Sequence, residues 1–316
     1  MTTVEATRPA TTAVDGVLVV SKPPGPTSHD VVAIVRRLTG ARRVGHGGTL
    51  DPFAAGVLPV FLGIATRMVE YHLADEKAYR AAVVFGARST TDDRDGELTP
   101  IDGPPPSRDQ VADALTTFEG EIEQIPPSHS AVRVSGRRAY ELARHGEQPE
   151  LRPRTVRIHQ ITLTDWDDSD PPRPAATLEV RCSAGTYIRA IARDLGAKLD
   201  NGAYLGALTR TASGPFRIEA ATPLDAVRAA LAAGTIDRLL LPPDTGLDAY
   251  PSIRLDSTEL GALAHGQVIR HRGDRLPPPG PDGLFRIVGH DGRLAAMARL
   301  DGGRLHPEKV FVTPAT

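Results

Sequence analysis

Gly45-His46-Gly47-Gly48-Thr49-Leu50-Asp51-Pro52 sets one histidine and one aspartate among residues that bend or open a backbone. Glycine lets the main chain approach a ligand closely. Pro52 biases Asp51 away from helix, so its carboxylate is presented from an extended turn. An ordinary surface turn has the same composition. A nucleotide phosphate loop is disfavoured because the G-x-x-x-x-G-K-[ST] pattern is absent. The segments on either side decide between these readings.

Upstream, Gly16-Val17-Leu18-Val19-Val20 predicts a short apolar strand, followed by a rigid turn at Lys22-Pro23-Pro24-Gly25-Pro26. Thr27 with Asp30 forms a capping box for a helix whose apolar stripe is Val31, Ile34, Val35 and Leu38, and Gly40 ends it. Downstream, Phe53 to Val69 is mostly apolar but broken by Gly56, Pro59 and Gly63. Lys77 to Phe85 reads as a strand with Tyr79, Ala81, Val83 and Phe85 on one face. An acidic, Pro-rich loop from Asp92 to Pro106 leads to a second capping box, Ser107 with Gln110, and a helix carrying Val111, Leu115 and Phe118. Ile125 to Val134 reads as extended and Arg138 to Arg144 as helical, with Gly146 as its stop. Strands are expected at Thr155 to Thr164 and Ala176 to Cys182. A helix capped by Thr186 follows, with Ile188, Ile191, Ala192 and Leu195 inward. Tyr204 to Thr211 and Gly214 to Ala220 suggest a hairpin, and Thr222-Pro223 a further helix with Pro at its first position.

Length suggests about two domains at roughly 100–200 residues each. Residues 1–13, rich in Thr, Ala and Pro, read as a disordered tail. Past Leu247 the segments become short and β-like, parted by Gly and Pro, which places a main domain at 14–246 and a small β domain at 247–316. The hydrophobic fraction of 40% and charged fraction of 24% are those of a globular chain able to bury a sizeable core. A net charge of -2 gives no hint of a polyanionic partner, but a local basic face can hide in an average. Arg36, Arg37, Arg42 and Arg43 lie together without an acid, and Arg133, Arg137, Arg138, Arg144, Arg152, Arg154 and Arg157 form a second run. Solvated surface is the plain reading of any one such cluster. There are four lysines, so the positive charge is nearly all arginine, which suits phosphate forks and base stacking; a GC-rich genome gives the same bias. Cys182 is the sole cysteine, which fits a reducing cytoplasm, and it reads as a small core residue rather than a nucleophile. No secretory segment opens the chain, and no apolar run reaches the ~18 residues of a membrane span. His129 and His145 have no close partners of metal-ligand spacing, so no metal site is expected.

Gly45–Pro52, continued as Phe53-Ala54-Ala55-Gly56-Val57-Leu58-Pro59, resembles the catalytic motif of the pseudouridine synthases, specifically the TruB branch. Four further segments match in the family's order: Lys22 to Asp30; Lys77-Ala78-Tyr79-Arg80; Gln124-Ile125-Pro126-Pro127 with Ser130-Ala131; and Cys182 to Arg189 followed by Asp194-Leu195-Gly196. Together they cover most of Gly16 to Thr211. Two departures stand out. Gly47 replaces the family's usual Thr. The usual Thr-Asp-Thr stretch reads Ser89-Thr90-Thr91-Asp92-Asp93, which leaves open which acid stands beside the arginine.

The resemblance implies an α+β catalytic domain, with a central mixed, largely antiparallel sheet flanked by helices, and a small C-terminal PUA-like β-barrel. It implies conversion of the T-loop uridine of tRNA to pseudouridine, without a cofactor. Uracil leaves its ribose through nitrogen and returns through carbon, which needs a group that can attack and later leave; Asp51 is the matching carboxylate. Arg189 matches the cation that keeps it ionised in a dry site, against a plain surface arginine as the alternative. Because a stacked base cannot be reached, the uridine is flipped out. Tyr79 matches the residue that stacks on it, His46 the one that fills the gap it leaves, and Tyr187 and Leu208 further pocket residues. For Leu208, plain core packing stands beside contact with the base. Lys22 either supports the loop or meets RNA. Arg42, Arg43, Arg137 and Arg138 would face phosphates. The partner implied is the tRNA T-arm, bound by a cytoplasmic monomer with no protein partner and no membrane. Three other readings remain: a sibling enzyme acting on another RNA, an RNA-binding or RNA-folding protein whose chemistry is dispensable, and, more remotely, a metabolic enzyme using a nucleotide cofactor. The last lacks P-loop and Rossmann signatures.

Overall fold

A computed structural model describes residues 14–130, 132–134, 136–147, 150–270 and 277–312, with the side chains of Arg138, Ala143 and Arg144 outside that description. The tail expected at residues 1–13 lies outside the described residues.

One mixed sheet of 11 strands organises the larger part. Its main strands are β1 (Gly16–Lys22), β2 (Val44–His46), β3 (Ala55–Leu62), β4 (Lys77–Phe85), β5 (Gly120–Gln124), β6 (Arg154–Asp167), β7 (Ala175–Cys182) and β8 (Ala203–Ser213). The spatial order is Thr222–Pro223, β1, β3, β8, β4, β7, β6, β5, with β2 against β3. Neighbours run antiparallel except at β3–β8 and at Thr222–Pro223 with β1. At β3–β8 the chains come very close. Gly56 has φ +105°, and a Cβ there would lie 2.2 Å from the Arg210 carbonyl oxygen, so glycine is required on both counts.

The two halves of the sheet bury their faces differently. In β4 and β7 alternate residues point inward: Ala81, Val83 and Phe85, with Leu178, Val180 and Cys182. They meet Val111, Leu115, Ile191 and Leu195 from α2 (Arg108–Leu115) and α4 (Ile188–Lys198). β1 and β3 are covered on both faces, so they are apolar almost throughout. Leu18, Val20, Leu58 and Val60 pack on Val31, Val35 and Val227, from α1 (Ser28–Thr39) and α5 (Leu224–Ala232). Val17, Val19, Val57 and Phe61 pack on Met68, Leu247, Met297 and Phe311.

Both sequence-predicted capping boxes form, Thr27 with Asp30 and Ser107 with Gln110, and Gly40 closes α1 in the left-handed conformation. Other boundaries shift. Tyr187, not Thr186, is the N-cap of α4, because the Thr186 hydroxyl donates to the Ser183 carbonyl at 3.0 Å instead. Pro223 caps α5 rather than opening it, because Thr222 and Pro223 extend the sheet beside Val20 and Ser21. The stretch expected to be extended around Ile125 to Val134 ends in a two-residue ladder, Arg133–Val134 against Arg137–Arg138, before α3 (Ala139–Arg144). The second half of the expected hairpin pairs only at Phe216–Arg217 and then turns.

The C-terminal unit is a curled half-barrel of five strands. β9 (Leu284–Val288), β10 (Leu294–Asp301) and β11 (Arg304–Val310) form its centre, with Ser252–Arg254 and Ile269–Arg270 at its edges. Its own core gathers Ile253, Leu263, Phe285, Ile287 and Leu305. A helix the sequence reading passed over, α6 (Ser257–Ala264), is started by an Asp256–Glu259 capping box. The unit docks on the 3-10 segment Gly63–His72. Arg67 donates to the Val310 carbonyl and lies 5.1 Å from the Phe311 ring, while Lys309 donates to the Arg67 carbonyl at 3.1 Å. Among the described residues no helix is long and apolar enough to cross a membrane.

Candidate active site

The Gly45–Pro52 segment leaves the end of β2 and leads toward β3, and it is gripped from three directions. From β1, the Lys22 ammonium donates to the carbonyls of Pro23 (2.9 Å), Pro52 (3.1 Å) and Ala54 (2.7 Å). From the turn after β1, the Gly25 N–H meets the Pro52 carbonyl at 2.8 Å, and at the start of α1 buried Ser28 bonds both backbone groups of Leu50. From β8, the Arg210 guanidinium, 1% exposed, donates to Val57 (2.8 Å), Thr49 (3.3 Å) and Gly48 (3.0 Å) carbonyls. Lys22 is itself 1% exposed, so its amine faces the loop and not solvent. Burial lowers its pKa to about 8, against the charge of nearby Asp51.

Asp51 sits at the end of this loop, opposite the first turn of α4. Arg189 Nε lies 2.9 Å from one carboxylate oxygen, close enough to pair as charges but out of line for a hydrogen bond. Nη2 makes the hydrogen bond, to the other oxygen at 3.3 Å. The same guanidinium donates to the Thr91 and His129 carbonyls, each at 3.0 Å, and pairs with Asp93 at 3.4 Å. Arg189 is thus a buried cation fixed on all sides. The Asp51 side chain is 34% exposed, opening into the cavity, yet burial dominates and pushes its carboxyl pKa up. Arg189 pulls it down, Asp93 adds to the rise, and Lys22 opposes it.

A cavity of about 300 Å³ lies over Asp51 and Arg189, lined also by Tyr79, Tyr187, Leu208, Lys77 and Arg210. A second, of about 320 Å³, borders Asp51 and Arg189 from the side of His29, Asp95 and Tyr140. Burial raises the Tyr79 phenol above its ordinary value, outweighing the Arg210 charge beside it, so the phenol is protonated at neutral pH. Leu208, 7% exposed, belongs to the core and to the cavity wall together. Arg154 stands 5.8 Å from the Tyr187 ring. His46 lies on β2, edge-on to His29 at 5.4 Å. Burial lowers its pKa to about 4, and its Nδ1 accepts from the Gly48 N–H at 3.3 Å, which leaves the neutral ring's proton on Nε2.

The fold therefore brings Asp51, Tyr79, Arg189, Tyr187 and Leu208 to one cavity, with Lys22 beneath the loop and His46 on its strand. Arg42 and Arg43 are exposed beyond α1 and line neither cavity. Arg137 is exposed and paired with Glu147 at 3.1 Å; the Arg138 side chain lies outside the description. Sequence reading gave no role to Arg210, His29 or Gln124. Arg210 reads as one more residue of an alternating strand, and only the β3–β8 approach reveals its target. Cys182 is buried, its thiol pushed up to about 11 by burial, and does not line either cavity. Among the described residues no His, Cys, Asp and Glu are grouped to hold a metal ion.

Sequence comparison places residues 36–188 with the TruB family pseudouridylate synthase N-terminal domain, 189–248 with the tRNA pseudouridylate synthase B C-terminal domain, and 251–311 with the pseudouridine synthase II TruB C-terminal domain. The tRNA pseudouridine synthase B of Symbiobacterium thermophilum is 48% identical over 258 residues, spanning 81% of this chain and 84% of that one. That of Thermobifida fusca is 43% identical over 302 residues, 94% of this chain and 98% of the other. The chain belongs to the TruB family of pseudouridine synthases. Among solved structures, that of the archaeal box H/ACA sRNP Nop10–Cbf5 complex superposes with a TM-score of 0.70 at 26% identity, over 95% of this chain and 86% of that one.

The two departures from the TruB-family pattern have physical accounts here. A Cβ at Gly47 would lie 2.9 Å from the Phe61 ring, so this chain fills with an aromatic edge the space a larger residue would take. Asp92 and Asp93 divide their work: buried Asp93 faces Arg189, whereas Asp92 pairs with Arg193 at 3.0 Å, one turn further along α4.

Proposed function

We propose that this TruB-family enzyme isomerises the T-loop uridine of tRNA to pseudouridine, with Asp51 as the reacting carboxylate. The observation that carries the reading is the Asp51–Arg189 pair at the floor of a cavity walled by Tyr79, Tyr187 and Leu208. A buried guanidinium held by two carbonyls and a second acid cannot swing away, so it preserves the ionised carboxylate as a nucleotide displaces water. The names of the curated relatives support tRNA as the substrate class. The cavities on both sides of Asp51 suit a strand that runs past the reacting base better than a small metabolite.

In this reading Tyr79 stacks on the flipped uracil as a neutral phenol, Leu208 and Tyr187 close its edges, and neutral His46 fills the vacated place in the loop. Lys22 acts on the loop rather than on RNA. Arg42 and Arg43 meet backbone phosphates, with Arg137 and Arg138 as further contacts. The unit from residue 247 onward grips the tRNA away from the reacting base. The protein works as a cytoplasmic monomer and needs no added cofactor.

The test is unmodified tRNA transcribed in vitro, incubated with the protein alone, with pseudouridine mapped by chemical labelling and primer extension. Wild type forms it at the T-loop uridine, and Asp51→Asn forms none while still binding the tRNA. Modification by Asp51→Asn, or product elsewhere in the RNA, defeats the assignment.

A further inference from the structure

Gln124 ends β5 and is fully buried, at 0% exposure. Its carboxamide is used on both sides by one residue. Oε1 accepts from the Tyr187 N–H at 2.8 Å, and Nε2 donates to the Tyr187 carbonyl at 3.1 Å. Tyr187 is the N-cap of α4, a helix start with no side-chain cap of its own. The adjoining residue, Ile125, holds the same helix again, because its carbonyl accepts from Arg193 Nη2 at 2.8 Å. Arg193 also reaches Asp92 at 3.0 Å. The two attachments, at residues 187 and 193, bracket Arg189. Gln124, Arg193 and Asp92 line neither cavity beside Asp51.

We propose that Gln124 and Arg193 are positioning residues for the pseudouridine reaction, fixing the axial and rotational setting of α4 and hence where Arg189 meets Asp51. One pin at a helix end leaves it free to turn or slide; a second, about 1.7 turns on, removes both freedoms. The tolerance is small, because a slip of one residue moves a helix about 1.5 Å along its axis. A misplacement of about 1 Å at a reacting group costs roughly a hundredfold in rate. The groups facing Asp51 are Arg189 from α4, Asp93 from the loop after β4, Lys22 from β1 and, across the cavity, the neutral Tyr79 phenol from β4. When Arg189 is displaced, burial and Asp93 push the carboxyl upward with Lys22 alone opposing. The acid limb of the rate profile then moves to higher pH.

The inference rests on Asp51 being the reacting carboxylate. Its test uses full-length Gln124→Ala, Gln124→Glu and Arg193→Lys on in vitro transcribed tRNA, measuring single-turnover rate against pH, tRNA affinity and Tm. Gln124→Ala and Arg193→Lys lower the rate by about a hundredfold, leave tRNA affinity unchanged and raise the acid limb. Gln124→Glu keeps the acceptor for the Tyr187 N–H, and so regains part of what Gln124→Ala loses. Should Gln124→Ala not fold, the other two variants decide by the same readouts. A folded variant with wild-type rate and acid limb, or a loss that tracks only the fraction of folded protein, overturns the inference. An inactive wild type would instead defeat the underlying reading.

Discussion

At the residue scale, Lys22 shows how far burial can settle what a motif leaves open. The sequence allowed an RNA contact or a loop support. At 1% exposure, with its protons on three carbonyls, the amine has no face to offer a phosphate. Lys22→Met is therefore expected to slow the chemical step by about tenfold to a hundredfold through loop displacement, with tRNA affinity unchanged in a filter-binding assay. A large fall in affinity at unchanged rate would restore the RNA contact. The amine also leaves a pH signature. Its folded pKa, about 8, lies below the ordinary 10.5, so the unfolded chain binds more protons between those values. Stability conferred by Lys22 therefore rises with pH across that window, and the difference in unfolding free energy between wild type and Lys22→Met should grow in the wild type's favour from pH 8 to 10.5. Asp51, Tyr79 and Arg189 were legible because each lies in a contiguous motif of fixed order. Arg210 was not, because it lies in no quoted motif and acts on backbone far along the chain, at Gly48. Gln124 opens a matching motif, but nothing local shows that its carboxamide is used by Tyr187, 63 residues on.

At the element scale, what was legible follows from local physics. β4 was read at its observed bounds because one face alternates cleanly, and α1 and α2 because their caps are complete within four residues. The errors fall where tertiary contacts overrule local preference. Thr222–Pro223 joined the sheet instead of a helix, and Gly63–His72, to which the sequence assigned no element, forms a 3-10 segment under the C-terminal unit. α6 was missed because its neighbourhood is short, Gly-rich and β-like. The approach of β3 to β8 is the element contact on which the site depends most. Gly56 allows β8 to lie close enough for Arg210 to reach Gly48 and Thr49. Gly56→Ala meets both a positive φ and the Arg210 carbonyl, so we expect a loss of about 3 kcal/mol by urea denaturation. Activity should fall further than tRNA binding, because the displaced group holds the loop that carries Asp51. A variant as stable as wild type would show that the two strands can part without consequence.

At the scale of the whole molecule, the net charge of -2 conceals where an RNA chain could lie. Arginines that stabilise the fold have acids or carbonyls beside them: Arg189 with Asp51 and Asp93, Arg193 with Asp92, Arg137 with Glu147. Arg42 and Arg43 are exposed at the end of α1, where they border a broad hollow together with Arg67. Arg67 also ties the C-terminal unit to the main sheet through Val310 and Phe311, so this basic rim lies where the two units join. Each phosphate neutralised releases counterions, and the logarithm of affinity should fall with the logarithm of salt by about 0.7–0.9 per contact. We therefore expect tRNA binding to weaken steeply between low and physiological salt. Replacing Arg42 and Arg43 together by Ala should flatten that slope by about one to two units, whereas Arg137→Ala, which removes a charge already paired with Glu147, should change it less. The rate of the bound complex should stay at the wild-type value in the double variant, because neither side chain lines the cavities beside Asp51. A slope already flat in wild type, or unaltered by the double replacement, would remove this rim from the path of the RNA and send the search to another face.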